Sequence, residues 1–288
     1  MIKFNIKIDN SRDLIMQNAI NILPFLEEDL GTGDITAQII PENRQATAEL
    51  VTRETMVLCG RDWFDAVFKH LDASISIEWH AQEGEKVAEN SKLCTLKGSA
   101  RNLLTGERTA MNLLQTLSAT ATISREYADA IQGINCKILD TRKTIPGLRV
   151  AQKYAVRCGG CFNHRIGLFD GVLIKENHII AAGSIANAVK MAREQSDVPI
   201  EVEVENFDEL EQALNAKPDR IMLDNFSLEN LKKAVILTAK KVELEASGNI
   251  DLTTIRAVAE TGVDFVSIGA LTKNIRAIDL SMRITQQK

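Results

Sequence analysis

Apolar and polar residues alternate over short stretches in the first third of the chain. Ala46–Val51, Ser74–Trp79 and Lys92–Leu96 carry apolar side chains at about every second position, and turn residues separate them. A period of two places such side chains on one face of a strand, so the region from about Ala46 to Gly98 predicts an antiparallel sheet. From Ser99 to about Ile131 the spacing lengthens. Leu103, Leu104, Met111, Leu114 and Leu117 recur at roughly helical intervals, with Arg101, Glu107 and Arg108 between them, which predicts one or two helices.

Beyond Ile134 the pattern changes again. Strand candidates Cys136–Leu139, Val172–Ile174, Ile200–Val204, Arg220–Leu223, Val242–Leu244 and Phe265–Ile268 are separated by amphipathic segments. Of these, Ile185–Arg193, Phe207–Leu214, Leu228–Ala239 and Leu252–Glu260 predict helices. Strand, helix, strand at this repeat means parallel strands with right-handed crossovers, hence an open α/β sheet or a β/α barrel. The last apolar segment, Ile278 to Ile284, reads as a short helix.

The polar residues then change the picture. The strand candidates end in polar or glycine clusters: Asp140–Lys143, Lys175–His178, Glu203 with Glu205, Asp224–Asn225, Ser247–Asn249 and Ser267–Gly269. Parallel α/β folds bind ligands at the carboxyl ends of their strands, so these clusters converge on one rim. A carrier or purely structural protein has no use for so loaded a rim.

Charge narrows the ligand. The 288 residues carry a net charge of −5, which argues against a general nucleic-acid or membrane-surface binder, so any anion site must be local. The stretch Thr141–Phe169 supplies one: Arg142, Lys143, Arg149, Lys153, Arg157, His164 and Arg165, with no Asp or Glu. Lys153 and Arg157, four apart, read as a solvated helix face. Arg142 and Lys143 follow a strand directly, and Pro146-Gly147 sets a turn after them. His164 and Arg165 follow Gly159-Gly160, where backbone can approach a ligand closely. Glu203 and Asp224, ending neighbouring strands, form a carboxylate pair suited to Mg²⁺. Alternation puts Glu201, Glu203 and Glu205 on one side of their strand, a costly arrangement unless Lys175 or a metal lies between them. Ser247-Gly248-Asn249 and Gly269 occupy the place where backbone N–H groups commonly face a phosphate.

The start, MIKFNIKIDNSRDL, lacks the pattern of a secretory signal, and no run approaches the ~18 apolar residues of a membrane span. Five cysteines without framework spacing suit a reducing cytosol. Cys158-x-x-Cys161 is a single CxxC, thin support for a metal or redox centre.

Several of these segments are similar to a known family, the carboxylating nicotinate-nucleotide pyrophosphorylases or quinolinate phosphoribosyltransferases. The resemblance runs through Glu28–Asp34, Gly106–Asn112, Asp140–Arg149, Asn163–Arg165, Lys175–His178, Glu201–Glu205, Leu223–Phe226, Glu245–Gly248 and Ser267–Thr272, in order over nearly the whole chain. It implies an α/β protein with an incomplete β/α barrel, residues 114–275, and an N-terminal α+β open-sandwich domain. That domain comprises residues 1–113 and is rejoined by 276–288 as a helix. It implies transfer of phosphoribosyl from phosphoribosyl pyrophosphate to quinolinate with decarboxylation, with Mg²⁺, in a cytoplasmic homodimer whose site is shared between subunits. By motif, Arg108 is donated across the dimer, while Arg142, Lys143, His164, Arg165 and Lys175 form the quinolinate pocket. Lys143, Glu203 and Asp224 carry the catalytic roles, the two carboxylates on the metal and ribose side, and Ser247, Gly248 and Gly269 cradle the 5′-phosphate. Cys161, Ile145 and Lys273 depart from the family's usual glycine, threonine and histidine. A paralogue acting on nicotinate and a Schiff-base aldolase using Lys175 or Lys143 are the competing enzyme readings. The full cationic set favours a dicarboxylate.

Overall fold

The computed structural model describes residues 20–285. The stretch Met1–Leu14, expected not to be a secretory signal, lies outside them. Among the described residues the strands are β1 (Gln45–Thr52), β2 (Met56–Val57), β3 (Ser76–Trp79), β4 (Lys86–Val87), β5 (Lys92–Ser99) and β6 (Lys137–Leu139). They continue with β7 (Val172–Ile174), β8 (Ile200–Val204), β9 (Arg220–Asp224), β10 (Glu243–Ser247), β11 (Phe265–Ser267) and β12 (Leu280–Thr285). The chain divides into two compact units. One holds the described residues up to Thr122, then Val150–Gly159 and the segment from Ile275; the other holds Ile123–Arg149 and Gly160–Asn274.

The first unit is built on an antiparallel sheet of order β12-β1-β5-β3. Alternation along β1 buries Ala46, Ala48 and Leu50 while their neighbours face outward, as the period of two requires. The helix Arg61–Leu71 buries Trp63, Phe64, Val67 and Phe68. The long helix Ala100–Ala130 comes so near it that a Cβ on Gly106 would lie 2.9 Å from Phe68 and Leu71, so glycine there permits the packing of the two helices. The segment Ile278–Ile284 is not the expected helix. It supplies β12, which pairs with β1, Leu50 opposite Met282. Leu280 and Met282 turn inward on the strand period, and the edge of the sheet gives their backbone groups partners that a helix could find only within itself.

The second unit holds a six-stranded, all-parallel sheet of order β6-β11-β10-β9-β8-β7. Among the described residues no ladder joins β6 to β7, so the expected barrel is incomplete. Crossover helices Ile185–Gln195, Phe207–Ala216 and Leu228–Thr238 start on Ser184, Asn206 and Ser227, whose side chains each accept the backbone N–H three residues on. The apolar strand centres Val202, Val204, Ile221, Leu223, Leu244 and Ala246 form the core. The strand bounds differ most from expectation at β10, which starts at Glu243 and runs on to Ser247, carrying Glu245 into the sheet.

Candidate active site

Because every strand pair in the second unit is parallel, the carboxyl ends line one edge in sheet order. Three neighbour pairs along it are tied by direct contacts. At β6 and β11, Lys143 lies over Gly269, whose added Cβ would sit 3.3 Å from the Lys143 Cδ, and the Thr272 hydroxyl donates to the Lys143 carbonyl at 2.8 Å. Lys273 stands at the same place, its Cε 3.8 Å from that Cβ position. At β10 and β9, the Asn225 N–H donates to the Ser247 carbonyl at 2.9 Å and the Asn225 side chain donates to Asp224 at 2.7 Å. Gly248 has a φ of +102°, and a Cβ there would lie 2.2 Å from Asn225 Oδ1. Only glycine fits. At β8 and β7, Glu203 forms an ion pair with Lys175.

The fate of the three glutamates on β8 differs with depth. Glu203 takes Lys175, as expected. Glu205 is exposed and needs no partner. Glu201 is buried, and its counter-group is His164, with Nε2 at 2.8 Å from a carboxylate oxygen. The same Nε2 lies 3.6 Å from Glu245, which is fully buried and receives Arg220 at 3.1 Å. Arg220 also stacks on Phe265, 3.9 Å from the ring centroid. Burial pushes the Glu245 carboxyl up to about 7, reinforced by the negative charge of Glu201. Burial alone would raise Glu201 too, but His164, 2.8 Å away, and the positive charge of Arg220 hold it low. One carboxyl of the pair thus keeps its proton near neutrality. For His164, burial disfavours the cation, but the Glu201 and Glu245 carboxylates outweigh it and raise the pKa above the ordinary value. The Arg165 backbone N–H, however, donates to Nδ1 at 2.8 Å, and a donor cannot aim at a protonated nitrogen. The geometry is that of a neutral ring with its proton on Nε2.

The cationic segment is fixed from behind. The buried Asp140 carboxylate accepts the His164 N–H at 2.8 Å and the Asn163 side-chain amide at 2.7 Å. Asp170 accepts the Ile166 and Gly167 N–H groups, and an Arg165 guanidinium nitrogen donates to the Gly171 carbonyl at 3.0 Å. Burial and then repulsion from Arg142 lower the Arg165 pKa, so the two guanidiniums stand within electrostatic range of each other. Arg142 Nε is buried and, among the described residues, has no hydrogen-bond partner.

The remaining expected residues fall as follows. Arg108 is exposed on the part of the long helix that lies in the first unit, where its charge bears on Glu107. Lys153 is not solvated: it is 3% exposed on the helix Arg149–Cys158, whereas Arg157 is exposed as expected. Residues four apart lie on one helix face, so the difference comes from what covers Lys153, which periodicity alone does not reveal. Glu245 and Arg220 were missed by sequence reasoning. The strand candidate Val242–Leu244 stops short of Glu245, although a Glu two residues before Ser247 faces the same side as that serine.

A parallel sheet whose carboxyl edge gathers a guanidinium with an unsatisfied nitrogen, a lysine–glutamate ion pair and an obligatory glycine turn defines an α/β enzyme that handles a multiply charged anion. The comparisons make this specific. The family models described as the quinolinate phosphoribosyl transferase C-terminal and N-terminal domains match residues 120–283 and 34–118. The nicotinate-nucleotide pyrophosphorylase of Francisella tularensis is similar at 52% identity and a TM-score of 0.90, over 93% of this chain and 96% of that one. That of Ehrlichia chaffeensis has 38% identity and a TM-score of 0.88 over 92% and 97%. The carboxylating nicotinate-nucleotide pyrophosphorylase of Mycobacterium leprae is 40% identical over 96% of this chain and 98% of its own length. The chain belongs to the quinolinate phosphoribosyl transferase family, and it is an enzyme of the phosphoribosyltransferase class.

Proposed function

We propose that this protein transfers phosphoribosyl from phosphoribosyl pyrophosphate to quinolinate with decarboxylation, giving nicotinate mononucleotide, pyrophosphate and CO₂ for NAD biosynthesis. The observation that carries this reading is Arg142, whose Nε is buried without a hydrogen-bond partner among the described residues and whose positive charge bears on Arg165. Such a pair calls for a dianion, and a pyridine dicarboxylate is a planar one that guanidinium forks match. His164 belongs to the same wall, its ring fixed by Glu201 and the Arg165 backbone.

The donor side follows from the other end of the edge. Ser247, Gly248 and Gly269 cradle the 5′-phosphate, with Lys143 and Lys273 adding charge beside Gly269. Departure of pyrophosphate leaves an oxocarbenium-like ribose, which Glu203 and Asp224 stabilise electrostatically. The pyridine nitrogen attacks the anomeric carbon, and the quaternary nitrogen then acts as the electron sink for loss of the adjacent carboxylate as CO₂. No covalent nucleophile on the chain is needed; positioning and charge suffice.

Asp224, half-buried and oxygen-bearing, fits Mg²⁺, and Glu203 would join it by exchanging Lys175 for the ion. When bound, Mg²⁺ supplies neutralisation of the pyrophosphate charge. Arg108 serves the site of a second copy in a homodimer, and exposed Leu168, Phe169 and Ile180 are apolar surface that association would cover. No described helix is long and apolar enough to cross a membrane, and the free thiols suit the cytoplasm.

The test is release of CO₂ and pyrophosphate from quinolinate plus the ribosyl donor, with and without Mg²⁺. Nicotinate in place of quinolinate should give no product. Turnover of nicotinate, or none of quinolinate, would overturn the reading.

A further inference from the structure

Within the first unit the sulfur atoms of Cys59 and Cys158 and a carboxylate oxygen of Glu83 lie within 4.8 Å of one another. The CxxC spacing is therefore misleading. Cys161, three residues on, points elsewhere and donates to the Ser124 carbonyl at 3.1 Å. The partner of Cys158 is a cysteine 99 positions away in the sequence, by the difference of their numbers.

The two sulfurs are unlike. Cys59 is fully buried, whereas Cys158, the last residue of the helix Arg149–Cys158, is partly exposed. The Cys59 thiol beside it, with the Tyr154 hydroxyl one turn back and Arg157, lowers the Cys158 pKa against its burial and the Glu83 charge. Burial and this same contact push Cys59 up. The other thiols are inert by comparison, Cys136 and Cys161 being pushed up to about 12 by burial and Cys94 further in the same direction. Tyr154 is held in place by Trp63, ring centroids 5.4 Å apart.

Three donors so close could suggest a metal. Glu83, however, is already committed: one carboxylate oxygen accepts the Gly60 N–H at 2.7 Å and the other the Arg61 N–H at 3.3 Å, at the start of the helix Arg61–Leu71. That leaves two thiols, short of the four ligands of a structural zinc site. An accessible thiol of lowered pKa beside a buried, protonated one is the arrangement of an attacking and a resolving cysteine.

We propose that Cys158 and Cys59 form a reversible dithiol–disulfide pair that reacts with small-molecule disulfides. The Cys158 thiolate attacks one sulfur of the oxidant and displaces one thiolate, giving a mixed disulfide. Cys59 then attacks the Cys158 sulfur and expels the second thiolate. Two thiols are oxidised, the oxidant takes both electrons, and the protons of Cys158 and Cys59 leave on the two released thiols.

The test treats the full-length wild-type protein with glutathione disulfide, blocks remaining thiols and digests without reduction. Trypsin places Cys59 in the peptide 54–61 and Cys158 with Cys161 in 158–165. The expected result is these two peptides joined, with free Cys59 lost in the same proportion, in wild type and in Cys161→Ala alike. Dithiothreitol should reverse it, and an alkylating agent applied before oxidation should modify Cys158 first. A disulfide internal to peptide 158–165, a glutathione adduct on Cys158 that persists with Cys59 free, or no oxidation at all would each overturn the proposal. So would zinc carried by the freshly isolated protein and lost in Cys59→Ser.

Discussion

The positive charge of Arg142 bears on Arg165, an arrangement that serves ligand binding at the expense of the fold. Replacing Arg142 with Ala should therefore separate the two properties. Loss of charge-assisted hydrogen bonds, each ~1.5–3 kcal/mol, predicts kcat/KM for quinolinate lower by roughly 100-fold or more. Thermal stability should hold or rise, because Arg165 loses its repelling neighbour. Steady-state kinetics beside a melting curve decide it, and near-normal turnover would remove Arg142 from the pocket. Glu245 makes the converse point in the core. Its carboxyl is raised from 4.5 to about 7 by burial and by Glu201, so between those pH values the folded chain holds a proton that the unfolded chain has lost. Stability from this group is full below pH 4.5 and is lost as pH rises through about 7. Glu245→Gln cannot ionise, so its stability relative to wild type should improve from pH 4.5 to 7.5, by a few kcal/mol at most at ~1.36 kcal/mol per pKa unit. Urea unfolding of both proteins at pH 5 and pH 8 reads that difference; a constant offset would mean Glu245 does not titrate there.

Between residues and sheet, the strand-end turns carry the geometry. Gly248 occupies a left-handed conformation against Asn225, so Gly248→Ala meets both backbone strain and a collision. The expected cost is on the order of 2 kcal/mol or more, with KM for the ribosyl donor raised. Gly133 provides the control: its φ is +85°, yet an added Cβ has nothing within 4 Å, so Gly133→Ala should cost only the strain of ~1 kcal/mol. Equal losses of stability in the two variants would show that the Asn225 contact does not matter. These elements also mark where the sequence could be read. Alternation exposed β1, and the strand-helix repeat exposed the parallel sheet, because both patterns are set by burial on a fixed period. The helix Glu176–Ala182 buries no side chain, so it leaves no such pattern. In the segment 278–284, apolar residues at every second position also recur at intervals of four, and a short run cannot separate the two periods; its pairing with β1 decides. At the site, Lys175 with Glu203 was legible because each ends a neighbouring strand. His164 with Glu201, Glu245 and Arg220 was not, because those contacts lie below the rim, where distant segments meet and only three-dimensional structure pairs them.

At the scale of the whole molecule, Arg108 tests whether the active unit is one chain or two. It stands exposed on the part of the long helix Ala100–Ala130 that lies in the first unit, while Lys143 follows β6 in the second. If a copy completes its neighbour's pocket, a dimer built from an Arg108→Ala chain and a Lys143→Ala chain has one site with both lesions and one with neither. Each parent variant should be nearly inactive alone. With random reassortment, half the dimers are hybrids and half the sites in a hybrid are intact, so the mixture should regain roughly a quarter of wild-type activity. That recovery should appear only as fast as subunits exchange, which distinct tags on the two variants can follow by co-purification. If both residues act within one chain, every site in the mixture lacks one of them and no activity returns, however complete the exchange. Hybrid formation without recovered turnover would therefore assign Arg108 to its own chain or to no site, and the exposed guanidinium would need another account.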